Sequence, residues 1–232
     1  MKNLTTYLLI ATSIILISSC NNDNVEDMVN EDIKLLEITE SFYDNDSLIS
    51  SSIINFTYGI NNFVETEVNS SGNEKHYLYN SNNQLISYSY SNNGVIYNYT
   101  YNYDNGLIIN QTDSNNNIIY TYNYNNQQQL IDINNTLFFT YYSNNNIATK
   151  TDSYGNIDYY EYDDMNNPYK LLFPESISKI NYWTNNNILT ENQTHYSIEY
   201  EYNDNDYPTK STLTSLTTNG NTLKQIREYY YE

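Results

Sequence analysis

A short aromatic repeat constrains this chain more than any other feature. The copy Tyr122-Asn123-Tyr124 shows its form: an apolar residue, any residue and an aromatic one, followed by an asparagine-rich turn and then usually an aliphatic residue. Eight copies begin at Phe56, Tyr77, Tyr101, Tyr122, Phe139, Tyr160, Ile180 and Tyr200. Successive copies start between 17 residues (Tyr122 to Phe139) and 24 residues (Tyr77 to Tyr101) apart. A period of this kind is typical of an array of one supersecondary unit.

The residues around each copy alternate with period two, which indicates β-strands. Tyr97, Tyr99, Tyr101 and Tyr103 alternate with small polar residues, so one face of the strand is a row of tyrosines. Asp104-Asn105-Gly106 and Asn92-Asn93-Gly94 are good hairpin turns. Each unit is therefore predicted to be a hairpin plus its connection, with tyrosines of neighbouring strands forming cross-strand ladders.

Composition supports this interpretation, because 43 Asn accompany only 6 Gly and 3 Pro. Asn is the non-glycine residue that best tolerates positive φ, so it marks the turns. We predict an all-β fold: an extended antiparallel meander of about eight hairpin repeats, forming a single twisted sheet or a partly closed, barrel-like array. A disordered, self-assembling tract rich in Asn and Tyr is the alternative, and the fixed period argues against it.

One segment interrupts the repeat. Residues 166–178 contain Pro168, Pro174 and the densest apolar run after the first residues of the chain, Leu171-Leu172-Phe173. We expect a loop or short helical insertion packed on one face of the sheet. A ligand-contacting loop is the alternative.

The first 19 residues predict export. Lys2 precedes a short apolar run that ends in Ser18-Ser19 just before Cys20, the single cysteine. The sequence Ile17-Ser18-Ser19-Cys20 matches the bacterial lipobox, which predicts cleavage after Ser19 and lipidation of Cys20. The domains are then a signal peptide (1–19), an acidic flexible tether (20–32) and a β domain (33–232), with the membrane reached through the N-terminal lipid.

Charge and motifs exclude several functions. A formal net charge of −19 without a basic cluster disfavours nucleic-acid binding. His76 and His195 are too isolated to predict a zinc site, and the nucleophile-elbow and nucleotide-binding motifs are absent. Carboxylates crowd two places, 158–164 and 204–206, without a complete calcium or glycosidase pattern. We therefore expect no catalytic residues, no metal, no cofactor and no enzymatic activity.

The repeat resembles a known family. The stretch from Tyr77 to Leu85, Tyr-Leu-Tyr-Asn-Ser-Asn-Asn-Gln-Leu, resembles the YD repeat of RHS-type proteins. The whole layout, with its lipobox and acidic tether, is similar to uncharacterised YD-repeat-like surface lipoproteins of Bacteroidota. This resemblance implies an antiparallel β array, anchored to the outer membrane and displayed on the cell surface, with no assigned catalytic residues. Asp46-Ser47-Leu48 also resembles the Bacteroidota O-glycosylation motif, which marks Ser47 as a candidate acceptor.

Two functional hypotheses follow. In the first, the chain is a monomeric binding module that uses tyrosine-rich sheet faces to contact a glycan, a peptide or a protein. The tyrosines of this predicted ligand platform are Tyr97, Tyr99, Tyr101, Tyr103, Tyr120, Tyr122 and Tyr124. In the second, the chain is a purely structural envelope protein, and the tyrosines serve only to pack its own sheet. Exposure of the rows distinguishes the two.

Overall fold

The computed structural model of the chain describes residues 33–181, 184–191, 196–216 and 222–232. Four predictions lie outside these ranges: the signal peptide 1–19, cleavage after Ser19, lipidation of Cys20 and the tether 20–32. His195 also lies outside them. In the described part of the chain, no helix is long and apolar enough to cross a membrane.

The described domain is one antiparallel sheet of sixteen strands. The strands are β1 (Leu35–Asp44), β2 (Ser47–Tyr58), β3 (Val64–Asn69), β4 (Glu74–Tyr79), β5 (Leu85–Asn92), β6 (Val95–Asp104), β7 (Leu107–Asp113), β8 (Ile118–Tyr124), β9 (Leu130–Ile133), β10 (Leu137–Tyr141), β11 (Ile147–Asp152), β12 (Ile157–Asn166), β13 (Asn186–Glu191), β14 (Tyr196–Tyr202), β15 (Pro208–Leu216) and β16 (Thr222–Tyr231). Strands β1 to β13 follow one another in the sheet, as do β14 to β16, and β16 pairs with β1. The predicted all-β meander of hairpins is confirmed.

The ends of the sheet, β13 and β14, are joined by side chains. The Tyr196 hydroxyl donates to Glu191 Oε2 at 2.6 Å, and the Tyr200 hydroxyl donates to the Ile188 carbonyl at 3.0 Å. These bonds cross from β14 to β13, so the sheet closes almost completely on itself. The partly closed, barrel-like alternative is therefore the one adopted.

Asparagine forms the turns, as predicted. Nine of the twelve non-glycine residues with positive φ in the described ranges are Asn. Asn93-Gly94 and Asn105-Gly106 make two-residue turns with positive φ at both positions, which confirms both predicted hairpins. In longer turns the first side chain accepts backbone N–H bonds two and four residues on; Asn80, for example, accepts from Asn82 and Gln84. The same arrangement recurs at Asn69, Asp113, Asn125, Asp152 and Asn203.

Each unit carries a β-bulge just after its aliphatic residue. Tyr103 pairs with Ile108 while its neighbour Asn102 pairs with Asn110, so Ile109 is the extra residue. The same shift occurs in other units at corresponding positions. A bulge interrupts the backbone ladder locally and increases strand twist, which helps a sheet to curve.

The carbonyl of that aliphatic residue accepts a tyrosine hydroxyl from the next unit. The donor in each case is the second aromatic residue of a copy. We call these six residues the tyrosine belt: Tyr58 to Leu35 (2.8 Å), Tyr79 to Val64 (2.7 Å), Tyr103 to Leu85 (2.9 Å), Tyr124 to Ile108 (2.8 Å), Tyr141 to Leu130 (2.8 Å) and Tyr231 to Pro208 (2.7 Å). The belt therefore links each of these units to a neighbour.

The insertion fills the inside of the curved sheet. It contains a short 3₁₀ helix, Pro168–Leu171, and α1, Glu175–Ile180. Leu172, Phe173, Ile177 and Ile180 are each exposed by 5% or less and belong to the core. The predicted short helical insertion on one face of the sheet is thus confirmed.

The seventh predicted copy is wrong. Ile180 ends α1, and Asn181 caps that helix by donating its backbone N–H to the Ile177 carbonyl at 3.0 Å. The apolar residues that lead up to Ile180 are spaced four and three positions apart, which is typical of one face of a helix. This spacing favours a helix more strongly than the three-residue match Ile-Asn-Tyr favours a strand. The eighth hairpin instead ends in Tyr229-Tyr230-Tyr231 of β16.

Candidate functional site

The tyrosine rows of β6 and β8 lie on the inner face of the sheet. In β6 the even-numbered residues are exposed, whereas Tyr99, Tyr101 and Tyr103 are half-buried. Tyr97, near the tip of the hairpin, remains 46% exposed, and Tyr120 in β8 is 45% exposed. The rows therefore run from an open end of the sheet down to the belt and the insertion.

The rings form the predicted cross-strand ladder. Tyr77 and Tyr88 pair across β4 and β5, with ring centroids 6.0 Å apart, and Tyr88 stacks on Tyr99 of β6 at 4.8 Å. Phe173 of the insertion meets Tyr77 edge-on at 4.7 Å. Such pairs add about 0.5–1.5 kcal/mol beyond the area they bury. The insertion thus fixes one end of a continuous aromatic stack.

Above this stack lies a cavity of about 960 Å³. Five of the seven predicted platform residues line it: Tyr97, Tyr99, Tyr101, Tyr120 and Tyr122. Its lining comes from β5 to β10, their turns and the end of α1. Tyr103 and Tyr124 do not line the cavity, and their hydroxyls are engaged in the belt.

Two tyrosine hydroxyls of the lining are held by a buried glutamine. Gln111 is 5% exposed; its amide N–H donates to the Tyr88 hydroxyl at 3.4 Å, and the Tyr122 hydroxyl donates to its Oε1 at 3.3 Å. Burial raises the pKa of Tyr88, and the bond from Gln111 partly opposes this rise. These rings are therefore neutral and fixed in orientation.

Four other hydroxyls of the lining differ from those of the belt. Among the described residues, the hydroxyls of Tyr97, Tyr99, Tyr101 and Tyr120 have no hydrogen-bond partner. Burial raises the pKa of Tyr101 well above its usual range, with smaller contributions from neighbouring tyrosines, so this phenol stays protonated. The cavity therefore offers several neutral donors and acceptors beside flat aromatic surfaces.

One residue of the lining is charged, Asp113. Hydrogen bonds from Asn117 lower the pKa of Asp113, and the bond from the Asn117 side chain contributes more than the bond from its backbone. Its Oδ1 also accepts the backbone N–H of Asn115 at 2.8 Å, so the carboxylate organises its own turn. No described lining residue is cationic, and the other polar groups are amides and hydroxyls.

The other candidate residues have structural surroundings. Asp163 Oδ1 accepts the backbone N–H of Asn187 at 3.0 Å, and Asp158 pairs with Lys150 at 2.8 Å. Within the described ranges, no three His, Cys, Asp or Glu side chains are placed to hold a metal ion. Ser47 is exposed at the start of β2, an accessible position for the predicted modification.

Sequence reasoning missed most of the cavity lining, including Tyr88, Gln111 and Asn181. Tyr88 was detectable, since it alternates with Tyr90 just as the platform tyrosines alternate. Gln111 and Asn181 carried no such signal. Gln111 is one of many amides in the chain, and Asn181 reaches the cavity floor only because α1 enters the inside of the sheet.

The fold defines a class: a nearly closed antiparallel sheet of hairpin repeats filled by a helical insertion. No protein-family model and no curated protein matches the chain. Among solved structures, a complex of TcdB2, TccC3 and Cdc42 matches with a TM-score of 0.32 and 16% identity, over 77% of this chain and 10% of that chain. A porin-like protein from Bacteroides uniformis matches with a TM-score of 0.38 and 9% identity, over 85% of this chain and 98% of that chain.

This chain spans about a tenth of the matched chain in the complex of TcdB2, TccC3 and Cdc42. We draw neither family nor function from neighbours at these scores. The resemblance to YD-repeat lipoproteins stays a prediction.

Proposed function

We propose that this chain is a non-enzymatic lipoprotein of the outer membrane, displayed on the cell surface, whose tyrosine-lined cavity binds a neutral glycan. One observation carries the proposal: Tyr97, Tyr99, Tyr101 and Tyr120 line one cavity, and their hydroxyls have no hydrogen-bond partner among the described residues. The hydroxyls of the belt, in contrast, are all engaged. The cavity size falls within the range of about 300–1,000 Å³ that is usual for small-molecule sites.

Glycan chemistry suits this lining. Sugar rings present C–H faces that pack on aromatic rings, and their hydroxyls pair with phenols and amides. A charge of −19 repels anionic ligands, and the absence of cations from the described lining leaves them nothing to pair with. A peptide would instead gain most from pairing with a free strand edge, and β5 to β10 are paired on both sides.

A glycan array probed with the full chain in detergent tests the proposal. We expect binding to neutral glycans, and Tyr99→Ala should weaken it about tenfold, equivalent to roughly 1.4 kcal/mol. Tyr230→Ala is the matched control, because Tyr230 is 49% exposed on β16 and does not line the cavity. No signal from any glycan would refute binding and leave the structural role, which the stacking of Phe173, Tyr77, Tyr88 and Tyr99 favours.

The anchor and the location need separate tests. Cys20→Ala should abolish incorporation of a labelled fatty acid and release the chain from membranes. Protease treatment of intact cells should remove the wild-type protein. Full protection from the protease would contradict surface display without bearing on the cavity.

A further inference from the structure

We infer that the cavity binds internal units of a linear glycan, and that the chain on either side of these units leaves the protein through two different openings. This inference rests on the proposed glycan binding and adds a substrate class to it. The shape of the wall carries it: the hairpins around the cavity differ in height, and the hairpin β9–β10 is low enough to leave an opening at the side.

The heights of three neighbouring hairpins can be compared from the belt residues Tyr103, Tyr124 and Tyr141, which hold equivalent positions in successive units. From the belt toward the open end of the sheet, the strand continues for eight residues in β6, six in β8 and four in β10 (95–102, 118–123 and 137–140). At about 3.3 Å per residue, β10 ends about 7 Å below β8 and about 13 Å below β6. The wall therefore descends in steps from β6 to β10.

The tip of the hairpin β9–β10 forms a low lip, residues 134–136. Asn134 and Thr136 both line the cavity, and both are exposed. Strand β8 continues past this lip, because among the described residues its pairing with β9 stops at Tyr122, although the strand begins at Ile118. The cavity is therefore bounded on this side by a low, exposed turn, and it opens over that turn as well as at the open end of the sheet.

Hydrogen bonds hold the low lip against β8. The backbone N–H of Asn134 donates to the Thr121 carbonyl at 3.0 Å, and Asn134 Oδ1 accepts the Thr121 backbone N–H at 2.7 Å. The side-chain amide of Asn134 also donates to the Ile119 carbonyl at 3.2 Å. An asparagine side chain can replace a strand partner in this way. The opening is therefore a fixed part of the fold, and a peptide strand cannot pair with β8 at these two residues.

The two sides of the opening differ in chemistry. On the high side, the rings of Tyr97 and Tyr120 line the cavity and are 46% and 45% exposed, so they can pack on the C–H faces of sugar units. On the other side, the low lip consists of small polar residues, Asn-Asn-Thr, which leave room for a chain to pass over them. A middle segment of a glycan then contacts the rings, while one arm leaves over the lip and the other leaves at the open end.

Glycans of different length and glycans without ends test this inference. Calorimetric titration of the full chain in detergent would use short and long size fractions of amylose, laminarin, dextran and galactomannan. It would also compare amylose with large-ring cycloamylose, and laminarin with a cyclic β-glucan. For every linear glycan that binds, we expect bound protein to follow the mass of glycan, so that fractions differing tenfold in length bind the same amount of protein at equal mass. The cyclic form should bind wherever its linear counterpart does.

The possible results separate the inference from the proposed function. Bound protein that follows the number of chain ends, or a linear glycan that binds while its cyclic form does not, would overturn the inference while glycan binding stands. Failure of every glycan would overturn both proposals.

A substitution in the low lip provides an independent test. Thr136→Trp places a large side chain on the lip and should weaken binding of the best polymer severalfold, whereas the shortest oligosaccharide that binds should keep its affinity. Asn126→Trp adds the same bulk to an exposed turn outside the lining and should bind like the wild type. Polymer affinity of Thr136→Trp equal to or above that of the wild type would mean that the chain does not pass over the lip, and the inference would be wrong. If Thr136→Trp does not fold, as judged by far-UV circular dichroism, the length series and the cyclic glycans decide.

Discussion

We expect the loss of a single hydroxyl from the tyrosine belt to destabilise the fold. The Tyr124 hydroxyl donates to the Ile108 carbonyl at 2.8 Å, and Ile108 is 0% exposed. Tyr124→Phe keeps the ring and removes the donor, so the carbonyl loses a partner where water cannot replace it. Leaving a buried acceptor unsatisfied costs about 1–3 kcal/mol. For a domain of this size each kcal/mol lowers Tm by about 2–4 °C, so the expected loss is roughly 2–12 °C.

Tyr120→Phe is the matched control. Tyr120 lies on the same strand and the same face, is 45% exposed, and has no hydrogen-bond partner for its hydroxyl among the described residues. Its removal should change stability by less than about 0.5 kcal/mol. Thermal unfolding of both variants, followed by far-UV circular dichroism, measures the difference. Equal losses in the two variants, or no loss in Tyr124→Phe, would show that the belt bonds do not stabilise the fold.

Three further predictions concern turns, insertion and pH. Asn83 has a left-handed backbone conformation, with φ 60. Asn83→Ala should therefore lower the free energy of unfolding in urea by about 1–2 kcal/mol, whereas Asn83→Gly should lower it much less. Equal losses would show that the left-handed conformation does not limit which residue can stand there. Phe173→Ala should lower the free energy of unfolding by about 3–5 kcal/mol in the same measurement. The loss should be well above that of the control Phe42→Ala, at a 36% exposed position. A similar loss for both variants would mean that the insertion is loosely packed. Burial raises the pKa of Tyr141 to about 12 in the folded protein, whereas the phenol of the unfolded chain ionises near its usual pKa of about 10. The contribution of Tyr141 to stability is therefore fully present below pH 10 and falls as pH rises toward 12. A Tm that stays level from pH 9 to 11.5 would contradict this.

Much of the fold was predictable because it is local. Alternation in β6 and β8 predicted the strands and a tyrosine row on one face, but not that this face is the inner one, and Asn-Gly pairs predicted two turns. The closure was not predictable, because pairing of β1 with β16 depends on how far each unit twists. The seventh copy failed because three letters, Ile-Asn-Tyr, fit a strand as readily as the end of a helix.

The candidate site was predictable in part. Strand period placed Tyr97, Tyr99 and Tyr101 together, but it could not separate them from Tyr103, which shares their strand and face. The difference is that the Tyr103 hydroxyl donates to the backbone carbonyl of Leu85, which precedes a bulge in the neighbouring strand β5. No property of Tyr103 itself signals that acceptor.

The junction of first and last strands has a consequence for how the chain folds. Lys34 and Glu232 exchange backbone hydrogen bonds of 3.1 and 3.0 Å, and β1 pairs with β16 along its length. The first hairpin therefore lacks one neighbour until the last strand has been made. Closing so long a loop is slow, because the chain loses conformational entropy before the contacts between β1 and β16 can form. During synthesis the edge of β1 stays open until β16 has been made, and an open strand edge can pair with a wrong strand or with another chain. We therefore expect assembly of this protein to depend on chaperones more than its simple local repeats suggest.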